Sequence, residues 1–186
     1  METGVSIVRR YSSSNPMERI SIICEHYENF SGIVDSFEIG VFHMISSEKA
    51  YNRQSRRADL GVRIQSGNGY SDRTGDQAVE NVMIKDAMKE CDFSGDLLKD
   101  TDDSEKHRRD ILTIQMMREE FDVLEAHLKA LKKKEYRIFY SYLTGEKEIA
   151  DIADEEHMLC ESARNKISKT KKQLTQEILP FFRESL

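Results

Sequence analysis

Residues 20–44 read ISIICEHYENFSGIVDSFEIGVFHM. Within them Ile20, Ile23, Tyr27, Phe30, Val34, Phe37, Val41 and Met44 follow one another at alternating steps of three and four. Such steps bring every member to one face of an α-helix, whereas a half-buried strand would need a period of two. The stretch predicts a long amphipathic helix. Asn15 offers an acceptor to its first free N–H groups, and Pro16 suits its first turn. Gly32 and Gly40 each weaken a helix by roughly 1 kcal/mol relative to Ala, so a kink or break is expected near one of them. A second seam, Ile114, Met117, Phe121, Leu124, Leu128 and Leu131, follows Ser104 at the same spacing. Two seams suit a helical hairpin or a zipper between copies. Ile20, Ile23, Tyr27, Phe30, Val34, Phe37, Ile114, Met117, Phe121, Leu124 and Leu128 are therefore the candidates for self-association or a partner protein, with ordinary core packing as the alternative.

The remaining chain agrees with a mainly α fold. Nine Gly and two Pro in 186 residues leave room for long helices. Residues 1–14, with serines at 12, 13 and 14, are expected as a flexible arm. Residues 15–91 form an N-terminal helical region carrying an Arg/Gly-rich irregular segment at 46–76. There Arg53, Arg56, Arg57, Arg63 and Arg73 face only Glu48, Asp59, Asp72 and Asp76. This segment suits either a nucleic-acid arm or a surface loop, with residues 60–64 as a short strand or extended piece. Thr74 with Gln77 fits a capping box opening a short helix that carries Val79, Val82, Met83 and Met88. Residues 92–103 are expected as an acidic linker. Residues 104–186 hold a long helix and a C-terminal three-helix unit.

Several functions are set aside by the residues. No window approaches eighteen apolar residues, so no membrane span is expected. Residues 1–10 lack a continuous apolar run, and no secretory leader is expected there. Cys24, Cys91 and Cys160 are scattered, which fits a reduced, cytoplasmic protein without a disulfide framework or zinc spacing. No carboxylate pairs with His or Ser in a catalytic pattern, and the glycines form no phosphate loop. No catalytic residue, metal or cofactor is expected. Met83, Met88, Met116, Met117 and Met158 are expected to fill core gaps. The net charge of −6 argues against a uniformly basic surface, so the distribution of charge matters more than its total.

That distribution is uneven at the C-terminus. Residues 134–143 read as a helix with Ile138, Phe139 and Tyr142 or Leu143 inward. Thr144 and Gly145 end it. A short helix follows at 148–153, where Ala150 would let a neighbour approach closely. A third helix runs over 160–179. Between Ser162 and Gln176 it contains no acid, but it carries Arg164, Lys166, Lys169, Lys171 and Lys172. Ala163, Ile167 and Leu174 mark its buried face, leaving Arg164, Asn165, Ser168, Lys169 and Lys172 outward. Arg and Asn can read base edges in the major groove, and Lys and Ser suit phosphates. Lys129, Lys132, Lys133, Lys134 and Arg137 form a second basic group, placed to touch the flanking backbone.

Residues 136–174 resemble the helix-turn-helix of region four of the primary bacterial sigma-factor family. The resemblance is carried by Leu143-Thr144-Gly145, Glu148-Ile149-Ala150, Ser162-Ala163-Arg164, Ile167 and Leu174. It implies a third helix in the major groove, with Ser162, Arg164, Asn165 and Ser168 toward bases or backbone. Residues 51–88 are similar to phage transcription regulators of the RinA/ArpU type, through Gly61-Val62-Arg63-Ile64-Gln65-Ser66 and Ser71-Asp72-Arg73-Thr74. In this chain the turn at 153–159 is longer than in the sigma family, contains Asp154-Glu155-Glu156-His157 and lacks glycine. Acids facing DNA there would repel phosphate. The expected function is a DNA-binding transcriptional regulator of phage or mobile-element type. Ser162, Arg164, Asn165, Ser168, Lys169, Lys172, Lys132 and Lys133 would contact double-stranded DNA. Its upstream helices would organise the chain, with a homodimer as one arrangement. The alternatives are a module that binds RNA polymerase or another protein through its heptad helices, and a ring-forming phage DNA-packaging protein.

Overall fold

The computed structural model describes residues 2–59 and 73–184. Among them are eight α-helices and no strand: α1 Gly4–Ser13, α2 Pro16–Glu25, α3 Phe30–Asp59, α4 Arg73–Glu90, α5 Ser104–Ala130, α6 Lys133–Leu143, α7 Ile149–Glu155 and α8 Cys160–Ile178. A 3-10 turn follows at Leu179–Phe181. The chain is mainly α. The extended piece expected at 60–64, with Arg63, lies outside the described residues. So do the side chains of Arg57, Arg73 and Thr74, and with Thr74 the expected capping box. The helices form two compact units, one of residues 1–35 and 116–186, the other of residues 36–115. The stretch expected as a linker, 92–103, lies inside the second unit.

The first unit begins with a correction. Residues 4–13, expected as an arm, form α1 and bury Ile7, Val8 and Tyr11. These three share a helical face, which gives the segment an apolar side to pack. The serines that suggested flexibility spend their hydroxyls on the helix: Ser12 and Ser13 donate to the Arg9 carbonyl, and Ser14 to that of Arg10. Asn15 caps α2 as expected. Its side chain accepts from the Glu18 N–H (3.0 Å), and the Glu18 carboxylate accepts from the Asn15 N–H (3.1 Å). The expected break falls at neither glycine. The helix ends at Glu25 and restarts at Phe30, and α3 runs unbroken through Gly32 and Gly40. The packing of Tyr27 and Phe30 fixes this corner. Their rings stand 5.7 and 5.2 Å from Phe121 of α5.

That contact belongs to a continuous line of rings: Tyr11, Phe30, Phe121, Tyr27, Tyr140 and Tyr136. Successive centroids lie between 5.2 and 6.1 Å apart, within the range where tilted and offset aromatic pairs attract. The line joins α1, α3, α5 and α6. Beside it lies a buried ion pair. Arg19 of α2 is 1% exposed and Glu120 of α5 3%. Arg19 Nε and Nη2 grip the two carboxylate oxygens at 2.9 and 2.8 Å. The Tyr11 hydroxyl adds a third donor to Glu120 at 2.5 Å. The remaining Arg19 donors reach the carbonyls of Ser14 and Arg183. Burial, and then the negative Glu120, push the Tyr11 hydroxyl far above its ordinary pKa, so it stays a donor.

The second unit buries Phe37, Val41 and Ile45 of α3, Ile84 and Met88 of α4, Leu97, and Ile111 and Ile114 of α5. Met44, placed on the seam by its spacing, is 36% exposed while Ile45 is fully buried. A strict 3.5-residue repeat drifts off a 3.6-residue helix, and the inward position moves on by one. Residues 92–103 are stapled to α3. The Lys49 ammonium donates to the carbonyls of Asp96 and Leu97, and the Asn52 amide to that of Asp100. Glu48 accepts from the Asp102 N–H and pairs with His107 at 2.8 Å. Arg53 pairs with Glu80 (2.7 Å), and Arg56 with Asp100 (2.5 Å). These two arginines are engaged within the unit, with their side chains 42% and 64% exposed. Met83 does not fill a core gap either: it is 66% exposed on α4, beside exposed Val79 and Val82.

The seam residues Ile20, Ile23, Tyr27, Phe30, Val34, Phe37, Ile114, Met117, Leu124 and Leu128 are all buried, and Phe121 is half-buried. Their periodicity is satisfied within the chain. They do not form the open face that self-association or partner binding would need.

Removing one member of a buried pair leaves a charge without its partner, which costs about 3–5 kcal/mol. Glu120→Ala is expected to lose about that much in urea unfolding. The double variant Arg19→Met/Glu120→Met should regain most of it, because no uncompensated charge remains.

Candidate nucleic-acid interface

The surface singled out by the sequence is built on α6, α7 and α8. α8 packs against both of the other two. Ile138, Phe139 and Leu143 point inward from α6, Ile152 and Ala153 from α7, and Ala163, Ile167, Thr170, Leu174 and Ile178 from α8. Tyr142 is outward. Ala150, expected to admit a close neighbour, is exposed; the small buried residues of α7 and α8 are Ala153 and Ala163.

The buried positions fix the rotation of α8. At about 100° per residue, Arg164, Ser168, Lys172, Asn165, Lys169 and Ser162 fill an arc of about 160° centred opposite the buried stripe. All six are exposed. The structure thus brings these six onto one solvent face. Lys132 and Lys133, at the start of α6, are exposed as well.

The cations of this region fall into two groups. Lys129 pairs with Glu125 at 2.6 Å, and Lys147 with Glu155 at 2.5 Å. Glu156 takes both Lys134 (2.6 Å) and Arg137. In contrast, Arg164, Lys166, Lys169, Lys172, Lys132 and Lys133 have no ion pair among the described residues. Like charges three or four residues apart on one helix repel. The cations of α8, Lys171 among them, therefore form a surface whose repulsion an external polyanion would relieve. The second basic group noted in the sequence is mostly spent: of its five members, only Lys132 and Lys133 are free.

The acidic turn is equally specific. Glu156 is turned inward, its side chain 4% exposed. Hydrogen bonds from Lys134 and then Arg137 hold its carboxyl below the usual glutamate range. The missing glycine is replaced by a strained histidine. His157 adopts φ 52°, the left-handed region. Its N–H donates to the Asp154 carbonyl (3.2 Å), and the Met158 N–H to the Ala153 carbonyl (2.9 Å). This is the paired bonding that closes helices, with His157 in the position glycine usually takes. Asp151 caps the other end of α7 by accepting from the Glu148 N–H at 3.0 Å. Neither the inward Glu156 nor the left-handed His157 is visible in residue spacing. The length of the turn and its lack of glycine were the available hint.

A left-handed conformation costs a residue with a Cβ about 1 kcal/mol or more, and glycine nothing. His157→Gly is expected to raise stability by about 0.5–1 kcal/mol in denaturant unfolding. A second outcome concerns pH. A carboxyl whose pKa folding lowers contributes stability above its unfolded pKa, and loses it as pH falls through the folded one. The stability gap between wild type and Glu156→Gln should therefore shrink on acidification below pH of about 4. No family model, curated protein or solved structure matches this chain.

Proposed function

We propose that this protein binds double-stranded DNA through the outer face of α8. The observation that carries the reading is the sorting of its cations: Glu155 and Glu156 engage Lys147, Lys134 and Arg137, while Arg164, Lys169 and Lys172 stand unpaired beside Asn165, Ser162 and Ser168. Lys169, Lys172, Lys132 and Lys133 supply phosphate contacts that set position. Arg164 and Asn165 have the donor and acceptor groups that distinguish base edges. An α-helix fits the width of the major groove, and the buried stripe of α8 leaves its opposite face for insertion. Two of the three turn acids, Glu155 and Glu156, are paired with Lys147 and with Lys134 and Arg137, which offsets the repulsion they would exert on phosphate; Asp154 is exposed. The resemblance to sigma region four and to phage regulators of the RinA/ArpU type points the same way. It makes transcriptional regulation by DNA binding, without chemistry on a substrate, the role we favour.

A second reading is docking to another protein. The buried seams do not serve it, but Val79, Val82 and Met83 are exposed at i, i+3 and i+4 on α4. Association through an apolar stripe would change little with salt.

Counterion release makes duplex affinity fall with salt at about 0.9 per neutralised phosphate. Five free cations, Lys132, Lys133, Arg164, Lys169 and Lys172, predict a log–log slope of about −4 to −5. Arg164→Ala/Lys169→Ala should flatten it by about 2 units. On a selected site, Arg164→Ala alone is expected to cost about 1–3 kcal/mol and relax the preference at one base pair. Fluorescence anisotropy over a salt series checks both. Salt-independent binding, or none at low salt, would favour the protein-docking reading.

A further inference from the structure

We infer that Lys134 and Arg137 form a second, latent phosphate site that Glu156 holds closed. The inference rests on the duplex-binding reading above. Lys134 and Arg137 are three residues apart on α6 and so share a face. Between them lies one carboxylate: Lys134 Nζ is 2.6 Å from Glu156 Oε2, and Arg137 Nη2 donates to Oε1. Two cations converging on two oxygens of one anion is the donor set that a phosphodiester accepts. The guanidinium fork matches carboxylate and phosphate alike.

The geometry shows which partner can be exchanged. Glu156 is 4% exposed, but both cations are 58% exposed. The anion sits inside, and the outer donors of the cations remain in water. The position is also apt. Glu156 stands four residues before α8 begins, α6 packs on α8, and unpaired Lys132 and Lys133 open the same end of α6. Glu156 therefore serves as an internal substitute for phosphate and withholds two cations from the duplex-facing set. Neutralising it frees both for the backbone of bound DNA, so affinity is restrained by design of the turn and not by the recognition face.

The test is anisotropy with a labelled mixed-sequence duplex over a sodium chloride series, using the full chain throughout. E156Q is expected to bind several-fold tighter at low salt, with a slope steeper by about 2 units. K134A/R137A in the wild-type background should leave the slope unchanged, and combined with E156Q it should remove the gain. An E156Q slope equal to that of a binding wild type would overturn the latent site and leave the α8 reading intact. So would a K134A/R137A slope flattened by about 2 units, since the fork would then already hold phosphate. That second comparison stands even where E156Q fails to fold. Absence of duplex binding by every form would overturn both readings, and binding by E156Q alone would support both.

Discussion

The Arg19–Glu120 pair is the constraint from which the first unit is assembled. Two charges removed from water are tolerated only when nearly every donor and acceptor is matched. Here the matching groups come from α1 (Tyr11), the α1–α2 junction (Ser14), α2, α5 and the backbone at Arg183. Moving any of these segments strands a charge. Glu120 also fixes the rotation of α5, because its inward side chain carries Met116, Met117 and Leu124 inward with it. Phe121, the next residue, then meets Phe30 and Tyr27. Through Tyr27 the arrangement extends to Tyr140 on α6, and α6 in turn supports α8.

Much of this was legible before the structure. The alternation of three and four named the core faces of α3 and α5, because burial along a helix is a periodic demand, but it missed Ile7, Val8 and Tyr11 of α1 and Ile84 and Leu97 of the second unit. The Asn15 cap, the start of α5 and the approximate limits of α6 and α8 followed from local chemistry. One miss was local: a serine run signals flexibility until its hydroxyls find carbonyls one helical turn back. The others were non-local. Gly32 and Gly40 look like breakers, but nothing in spacing says that the corner is set by Tyr27 and Phe30 packing on Phe121, a residue ninety positions away. Whether a seam closes on itself or on another chain is likewise invisible in one sequence.

The candidate interface divides in the same manner. Helical spacing alone put Arg164, Asn165, Ser168, Lys169 and Lys172 on one face, since position around a helix depends only on residue number. Which cations remain available depends in part on partners farther along the chain. Lys134 and Arg137 meet Glu156 about twenty residues later, whereas Lys129 meets Glu125 within its own helix, one turn earlier. Charge counted along a sequence therefore overstates the cationic surface near the turn and describes α8 more closely, where Glu161 in the first turn is the one acid on the outer face.

The line of rings has an optical consequence. The chain contains no tryptophan, and four of its seven tyrosines, Tyr11, Tyr27, Tyr136 and Tyr140, belong to that line. Coupled, asymmetrically held chromophores dominate near-ultraviolet circular dichroism, whereas freely rotating ones contribute little. The aromatic spectrum of this protein is thus an intrinsic reporter of one unit. It registers the joining of α1, α3, α5 and α6 without a label. A tryptophan introduced in residues 36–115 would give a separate signal, so that the two units could be followed independently during unfolding.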